Sequence, residues 1–171
     1  ADSKPWAFPR VCPWCDGQLT RYAGAVDWFC VNPKCPTRTI AWIYHYASPD
    51  AMDIEGLGEK TVAVLFASGL VETPADLYDL TIEQIQKLPG FGEKSAQNLL
   101  TAIVASKDRP LWRLLVGLNI PRVGVTTAKE LARLGSMDEI LSAMSVGVPG
   151  FSDGIMAEVS TWAKTDAAKE L

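Results

Sequence analysis

All four cysteines of this 171-residue chain fall between residues 12 and 35. They form two close pairs, Cys12-Pro13-Trp14-Cys15 and Cys30-Val31-Asn32-Pro33-Lys34-Cys35. A thiolate is a soft ligand, and two knuckles joined by a short hairpin are what a tetrahedral Cys₄ zinc site needs. Gln18–Tyr22 and Val26–Cys30 read as the two strands of that hairpin, with Ala23-Gly24-Ala25 as its turn and Asn32-Pro33 forming the second knuckle. Two readings compete. Two disulfides would need an oxidising compartment, which nothing else in the chain suggests. A Cys-x-x-Cys redox pair leaves the second pair unexplained. The zinc expected at Cys12, Cys15, Cys30 and Cys35 is structural, since four protein ligands leave no open position. So small a segment cannot bury enough core alone, and structural zinc contributes about 10–16 kcal/mol of apparent binding energy. His45, the only histidine, reads as a surface or packing residue.

The second chemistry-bearing feature is a turn. Leu88-Pro89-Gly90-Phe91-Gly92-Glu93-Lys94-Ser95 places two glycines around one apolar residue, between two helical patterns. Such a turn plugs Phe91 into a core and opens a helix whose first amides have no internal partner. A helix start of this kind suits an anion such as a phosphate. Ile54-Glu55-Gly56-Leu57-Gly58-Glu59-Lys60 repeats it, and weaker versions occur at 119–125 and 148–154. The starts lie about 30–34 residues apart, the period of stacked helical pairs.

The elements that must position these turns are short amphipathic helices. Ser48-Pro49 reads as the N-cap and first residue of the first, and Thr73-Pro74 opens another. Thr81 to Gln84 and Ser136 to Glu139 are capping boxes. Apolar stripes follow at Val62, Leu65 and Phe66, at Ala96, Leu99, Leu100 and Ile103, and at Leu111, Leu114, Leu115 and Leu118. The expected fold is mainly α: a small Cys₄ zinc finger with a short β-hairpin, then an all-α domain whose four turns resemble helix–hairpin–helix motifs.

Composition narrows the function. Net charge is −4, but residues 1–47 carry five Lys/Arg against three acids, and the remainder carries eleven against seventeen. Nucleic-acid affinity in the second part would rest on local geometry rather than on a basic field. No apolar run reaches the ~18 residues that cross a bilayer, and no signal peptide is evident.

A Cys₄ finger followed by four such turns resembles the C-terminal region of bacterial NAD-dependent DNA ligases. The likeness rests on Cys12-Pro-x-Cys15, Cys30-x-Asn-Pro-x-Cys35-Pro36, Asp50–Lys60, Pro89–Asn98 and Ile120-Pro-x-Val-Gly124, and covers residues 8–165. It implies residues 1–9 as the tail of an OB domain, 10–46 as the finger and 47–171 as the helix–hairpin–helix domain. It implies a protein that grips nicked double-stranded DNA by its backbone, in replication and repair, in the bacterial cytoplasm and at the nucleoid. The implied DNA contacts are Gly56, Gly58, Lys60, Gly90, Gly92, Lys94, Ser95, Arg122, Gly124 and Thr126, with Arg21, Lys34 and Arg38 on the finger. NAD and Mg²⁺ would serve only the full-length parent enzyme. Its partner domains (adenylation, OB and BRCT) are implied to lie outside this chain. The family's adenylated Lys-x-Asp-Gly has no counterpart here: Ser152-Asp153-Gly154 lacks the lysine. This stretch alone is therefore expected to be inactive as a ligase.

Two turns depart from the pattern. The fourth has Ser152 at the second glycine position, where a left-handed backbone would be resisted, and Asp153 beside it. The third lacks the first glycine, and Asn119 is the residue expected to take the left-handed conformation. Two other functions fit parts of the sequence. One is a helical-repeat module for protein contacts, favoured by the acidic second part. The other is a helix–hairpin–helix DNA glycosylase, whose cysteines would hold an iron–sulfur cluster but would follow the hairpin.

Overall fold

The computed structural model describes residues 9–21, 26–32 and 34–165. Tyr22, the expected hairpin turn at 23–25, Pro33 and most of the proposed OB tail lie outside the described residues. The finger holds an antiparallel pair, β1 (Leu19–Thr20) and β2 (Phe29–Cys30). Leu19 stands opposite Cys30 and Thr20 opposite Phe29, so the hairpin carries one cysteine pair to the other.

Among the described residues eight α-helices follow: α1 Pro36–Ala47, α2 Glu59–Ala67, α3 Ile82–Gln86, α4 Glu93–Ser106, α5 Leu111–Gly117, α6 Val125–Ala132, α7 Met137–Val146 and α8 Asp153–Trp162. One 3₁₀ turn spans Ala75–Asp79. Among the described residues no helix is long and apolar enough to cross a membrane.

The first helix is not where the sequence placed it. Ser48-Pro49 does not open a helix; Ser48 is the C-cap of α1, its N–H bonded to His45 O. The helix starts directly at the last cysteine, with Cys35 as N-cap and Pro36 in the first turn, where its missing N–H costs nothing. Ile43, Tyr46 and Ala47 bury one face of α1 in the helical core. The expected boundary between 46 and 47 thus falls within α1, on the face that packs with the residues after it. Thr73-Pro74 likewise opens only the 3₁₀ turn. There Asp76 Oδ2 accepts from the amides of Glu72 and Thr73, which tightens the chain before an α-helix can form.

Two apolar clusters divide the helices. The first gathers α1 to α4 around Ile43, Leu65, Leu77, Ile85, Leu99 and Ile103. The second gathers α5 to α8 around Leu115, Leu131, Ile140 and Val159. Each helix is too short to be stable alone, so burial of these stripes is what holds it. A polar chain runs beside the first cluster: Tyr46 Oη to Tyr78 Oη at 2.9 Å, and Tyr78 Oη to Ser106 Oγ at 3.0 Å. Burial, and then this bond to Tyr78, push the Tyr46 hydroxyl pKa well above its ordinary value.

The two halves are joined by donors that reach across to backbone carbonyls. His45 Nε2 lies 2.9 Å from Val116 O, which makes the histidine a packing residue and no ligand. Arg113 Nη1 donates to both Pro49 O and Ala51 O at 2.7 Å. Arg109 bonds the carboxylate of Asp53, whose φ of 53° puts it in the left-handed region.

Candidate metal centre and nucleic-acid interface

In the finger, Asp16 turns left-handed at φ 53°, and Cys12 N–H donates to Gly17 O at 2.7 Å. Gly17 is there for closeness: a β-carbon on it would meet Asn32 Cβ at 3.0 Å and Cys15 Sγ at 3.1 Å. The two knuckles are thereby pressed together. All four sulfurs lie within 4.8 Å of one another, with Cys12 to Cys35 at 3.9 Å and Cys15 to Cys30 at 3.5 Å. A disulfide requires about 2.05 Å. A Zn–S bond of about 2.3 Å puts tetrahedral sulfurs roughly 3.8 Å apart, which is the spacing seen. The four cysteines fit a structural zinc site, with every tetrahedral position taken by protein.

Cys30 and Cys35 are driven in opposite directions. At Cys30, burial and hydrogen bonds with the other three thiols outweigh the Asn32 amide and push the group up to about 12. At Cys35 burial also opposes the charge, but hydrogen bonds from the Arg38 amide, Cys15 and Thr37 outweigh it and hold the group at about 6. Four thiolates in one cluster need a cation among them, which zinc supplies as it displaces the protons.

The four turns share one geometry. The plug residue donates its N–H three residues back: Leu57 to Ile54 O, Phe91 to Leu88 O, Val123 to Ile120 O and Phe151 to Val148 O, at 3.0–3.3 Å. The residue before each plug is left-handed: Gly56 at φ 89°, Gly90 at 85°, Arg122 at 66° and Gly150 at 97°. In the third turn the equivalent of the first glycine is therefore Arg122. Asn119 is also left-handed, at φ 52°, but it lies three residues earlier and closes α5. Counting back two residues from the capping Gly124 would have identified Arg122 in the sequence.

The residue after each plug caps a helix. Gly58 has φ −74°, Gly92 −111° and Gly124 −86°, conformations open to any residue. A β-carbon on any of the three meets nothing within 4 Å. Ser152 takes the same place at φ −72°, and its hydroxyl accepts from the Ile155 amide. The expected backbone conflict at Ser152 does not exist, because the second position is never left-handed. Nor does Asp153 set the fourth turn apart, since Glu59 and Glu93 hold the same first helical position in the first two.

Gly58, Gly92 and Gly124 are exposed, as are Lys60, Lys94 and Thr126 at the second helical position and Ser95 at the third. Ser95 Oγ accepts from Gly92 N–H at 2.9 Å. Because the caps are glycine, no side chain covers the first-turn amides of α2, α4 and α6, whereas Ser152 covers one in α8. Arg21, Lys34 and Arg38 are exposed on the finger side, where Arg38 Nη1 donates to Asn32 O at 3.3 Å.

Comparison with known proteins matches two stretches of the chain. Residues 11–36 match the NAD-dependent DNA ligase C4 zinc finger domain, and residues 48–103 match the SAM-like helix-hairpin-helix tandem. A DNA ligase of Aquifex aeolicus is 50% identical over 133 residues, covering 78% of this chain and 18% of the relative. A DNA ligase of Synechococcus sp. is 46% identical over 160 residues (94% and 23%), and one of Caldicellulosiruptor saccharolyticus 39% identical over 168 (96% and 25%). The chain thus spans about a fifth to a quarter of the length of the curated relatives it matches.

Proposed function

We infer that this chain, which carries the C4 zinc finger domain of NAD-dependent DNA ligases and a helix–hairpin–helix tandem behind it, is the DNA-gripping region of such a ligase. One observation carries the reading. Gly58, Gly92 and Gly124 are glycine although neither their φ nor their surroundings require it. A glycine the fold does not need, at a helix start with uncapped amides, leaves room for something from outside to come close. A phosphodiester oxygen is the group that such amides bind.

The grip carries no sequence information, because backbone amides and phosphates are the same at every step. Amides after Gly58, Gly92 and Gly124 donate to phosphate oxygens, Lys60, Lys94 and Arg122 add charge, and Ser95 and Thr126 lie beside them. Arg21, Lys34 and Arg38 extend the contact along the finger, and the zinc holds that extension in shape. In the full-length parent the adenylation chemistry with NAD and Mg²⁺ is done by other domains, and the nicked duplex is what this region holds for them. Alone it has no ligase activity.

The direct test is fluorescence anisotropy with a labelled nicked duplex at low and moderate salt. Binding should not depend on the sequence of the duplex, and Gly92→Val should weaken it several-fold with the melting temperature nearly unchanged. Affinity untouched by Gly92→Val, Gly58→Val and Gly124→Val alike removes the turns from the interface. Strong sequence preference would contradict a grip through the backbone.

A further inference from the structure

Ile43, Tyr46 and Ala47 turn one face of α1 into the core, and Arg38, Ala41 and Trp42, spaced three and four residues apart, share another. Arg38 and Ala41 line two clefts at once. One, of about 770 Å³, lies on the finger against Trp14, Trp28 and Phe29. The other, of about 570 Å³, runs past Trp42 to Trp162 of α8. Both are of the size that takes ring-shaped ligands, about 300–1,000 Å³. Aromatic side chains with one guanidinium among them therefore form a continuous track from the first zinc knuckle to α8.

The rings at the finger end are not packed away. Trp14 is 71% exposed and Phe29 45%, although burial of such rings is among the largest gains a fold can make. Trp42 is half-buried, and its indole N–H, closed off from solvent, has no hydrogen-bond partner among the described residues. A phenylalanine would place a ring there without the cost of that donor. What the tryptophan adds is a wider flat face. The guanidinium then decides what can cover the track. Arg38 Nη1 donates to Asn32 O at 3.3 Å, and among the described residues no carboxylate pairs with it. Anything lying along both clefts lies over this cation. An apolar partner would strip it of water and leave it unpaired, which is costly. A single nucleic-acid strand brings one flat base and one phosphate with every nucleotide, so it stacks on the rings and neutralises the arginine together. A duplex cannot, because its bases cover one another's faces.

We propose that the finger and the outer face of α1 form a site for unpaired, single-stranded DNA, whose bases stack on Trp14, Phe29, Trp42 and Trp162 while Arg38 holds a phosphate between them. Arg21 and Lys34, exposed on the same finger, add to the attraction. The site goes beyond the grip on duplex: its ligand is different, and none of the stacking residues belongs to the four turns. It is indifferent to sequence, because every base has a face to stack.

The test is fluorescence anisotropy of this chain with a labelled oligothymidylate of about twelve nucleotides, within the usual site sizes of stacking grooves. Binding is expected, and an abasic strand of the same length should bind roughly five-fold more weakly or worse. Trp14→Ala should weaken binding of the oligothymidylate by roughly five-fold or more, the loss of one stacked base, with its zinc content unchanged. Trp14→Phe should recover part of it. Arg38→Gln should flatten the slope of log affinity against log salt by about 0.7, one phosphate of a single strand. Trp14→Ala should leave the affinity for nicked duplex nearly unchanged, and Gly92→Val that for the single strand, which separates the two sites. Equal binding of the abasic strand and the oligothymidylate overturns the proposal, and so does an unchanged affinity of zinc-loaded Trp14→Ala. If the unmodified chain binds nicked duplex but no single strand, the proposal falls, the duplex grip stands, and the track is left to a protein partner.

Discussion

Tyr46 packs so closely on Gly117 that a β-carbon on the glycine would stand 2.8 Å from Tyr46 Cδ2. This contact sets the approach of α1 to α5, and with it the relation of the first pair of hairpins to the second. His45, the residue before, bonds Val116 O, the residue before the glycine. Gly117→Ala gains up to about 1 kcal/mol of helix propensity. It must then push the ring away, and overpacking of that kind costs about 1–3 kcal/mol. The ring also carries the hydroxyl chain through Tyr78 to Ser106. Net destabilisation is expected in urea unfolding. A neutral or stabilised variant would show that α1 slides freely over α5.

Arg113 is the second tie between the halves. One nitrogen serves the carbonyls of Pro49 and Ala51, and the guanidinium lies 4.7 Å from the Trp112 ring centre. Ala51 is fully buried, so removing the donor strands its carbonyl. Leaving such a group unsatisfied costs about 1–3 kcal/mol. Arg113→Ala should lower stability by that amount. Arg113→Lys should recover only part of it, because an ammonium lacks the flat guanidinium that lies over the Trp112 ring. Equal stabilities of all three proteins would show that the two bonds contribute nothing net.

Removing zinc should separate finger from helices. Among the described residues, the apolar clusters that bury α1 to α8 contain no cysteine and nothing before Ile40. A chelator at neutral pH should therefore abolish the near-ultraviolet signal of Trp14 and Trp28 while leaving most of the helical signal. Metal analysis should give one zinc per chain. Collapse of the helical signal on chelation would show that α1, which starts at Cys35, depends on the metal along its whole length.

How much of this was legible depended on whether the signal was local. The cysteine pairs, the capping boxes at Thr81 and Ser136, and the Gly-apolar-Gly turns are short-range patterns, and the structure has each of them. The α1 helix was hidden because Cys35-Pro36 belongs both to the knuckle and to the helix start. Its run of Ile40, Trp42, Ile43, Tyr44 and Tyr46 is also rich in residues that favour strands. The third turn is misaligned when read from Asn119, because its equivalence is set by the capping glycine, Gly124, which makes Arg122 the left-handed residue. The ties made by Arg109 and Arg113 span more than fifty residues, and no local pattern announces them.

Acid should weaken the cap of α7 in a traceable way. Hydrogen bonds from the Ser136 amide, then from its hydroxyl, hold Glu139 below the ordinary carboxylate range. A carboxyl whose folded pKa is depressed adds stability that is present above its unfolded pKa, near 4.3. That stability is lost as pH falls through the lower folded value. Glu139→Gln should therefore melt below the unmodified protein at pH 6, and the gap should narrow between pH 5 and 3. A gap that stays constant over that range would mean the carboxylate's charge plays no part in the cap.

The two glycines of Gly90-Phe91-Gly92 should separate when each is changed to alanine. Gly90 sits at φ 85°, where an alanine costs about 1–2 kcal/mol, so Gly90→Ala should lower the melting temperature. Gly92 sits at φ −111° with open space where a β-carbon would go. Gly92→Ala should cost a few tenths of a kcal/mol and at most about 1 kcal/mol, the range for losing a favourable cap residue. On the proposed phosphate contact its effect should instead appear in the affinity for nicked duplex, because the new methyl group would stand where the phosphate approaches. Gly92→Ser sharpens the contrast. A serine cap, like Ser152 in the fourth turn, should raise stability while covering an amide proposed to bind phosphate, so stability and affinity should move in opposite directions. If they rise or fall together across the three variants, the second glycine is kept for the fold and not for the duplex.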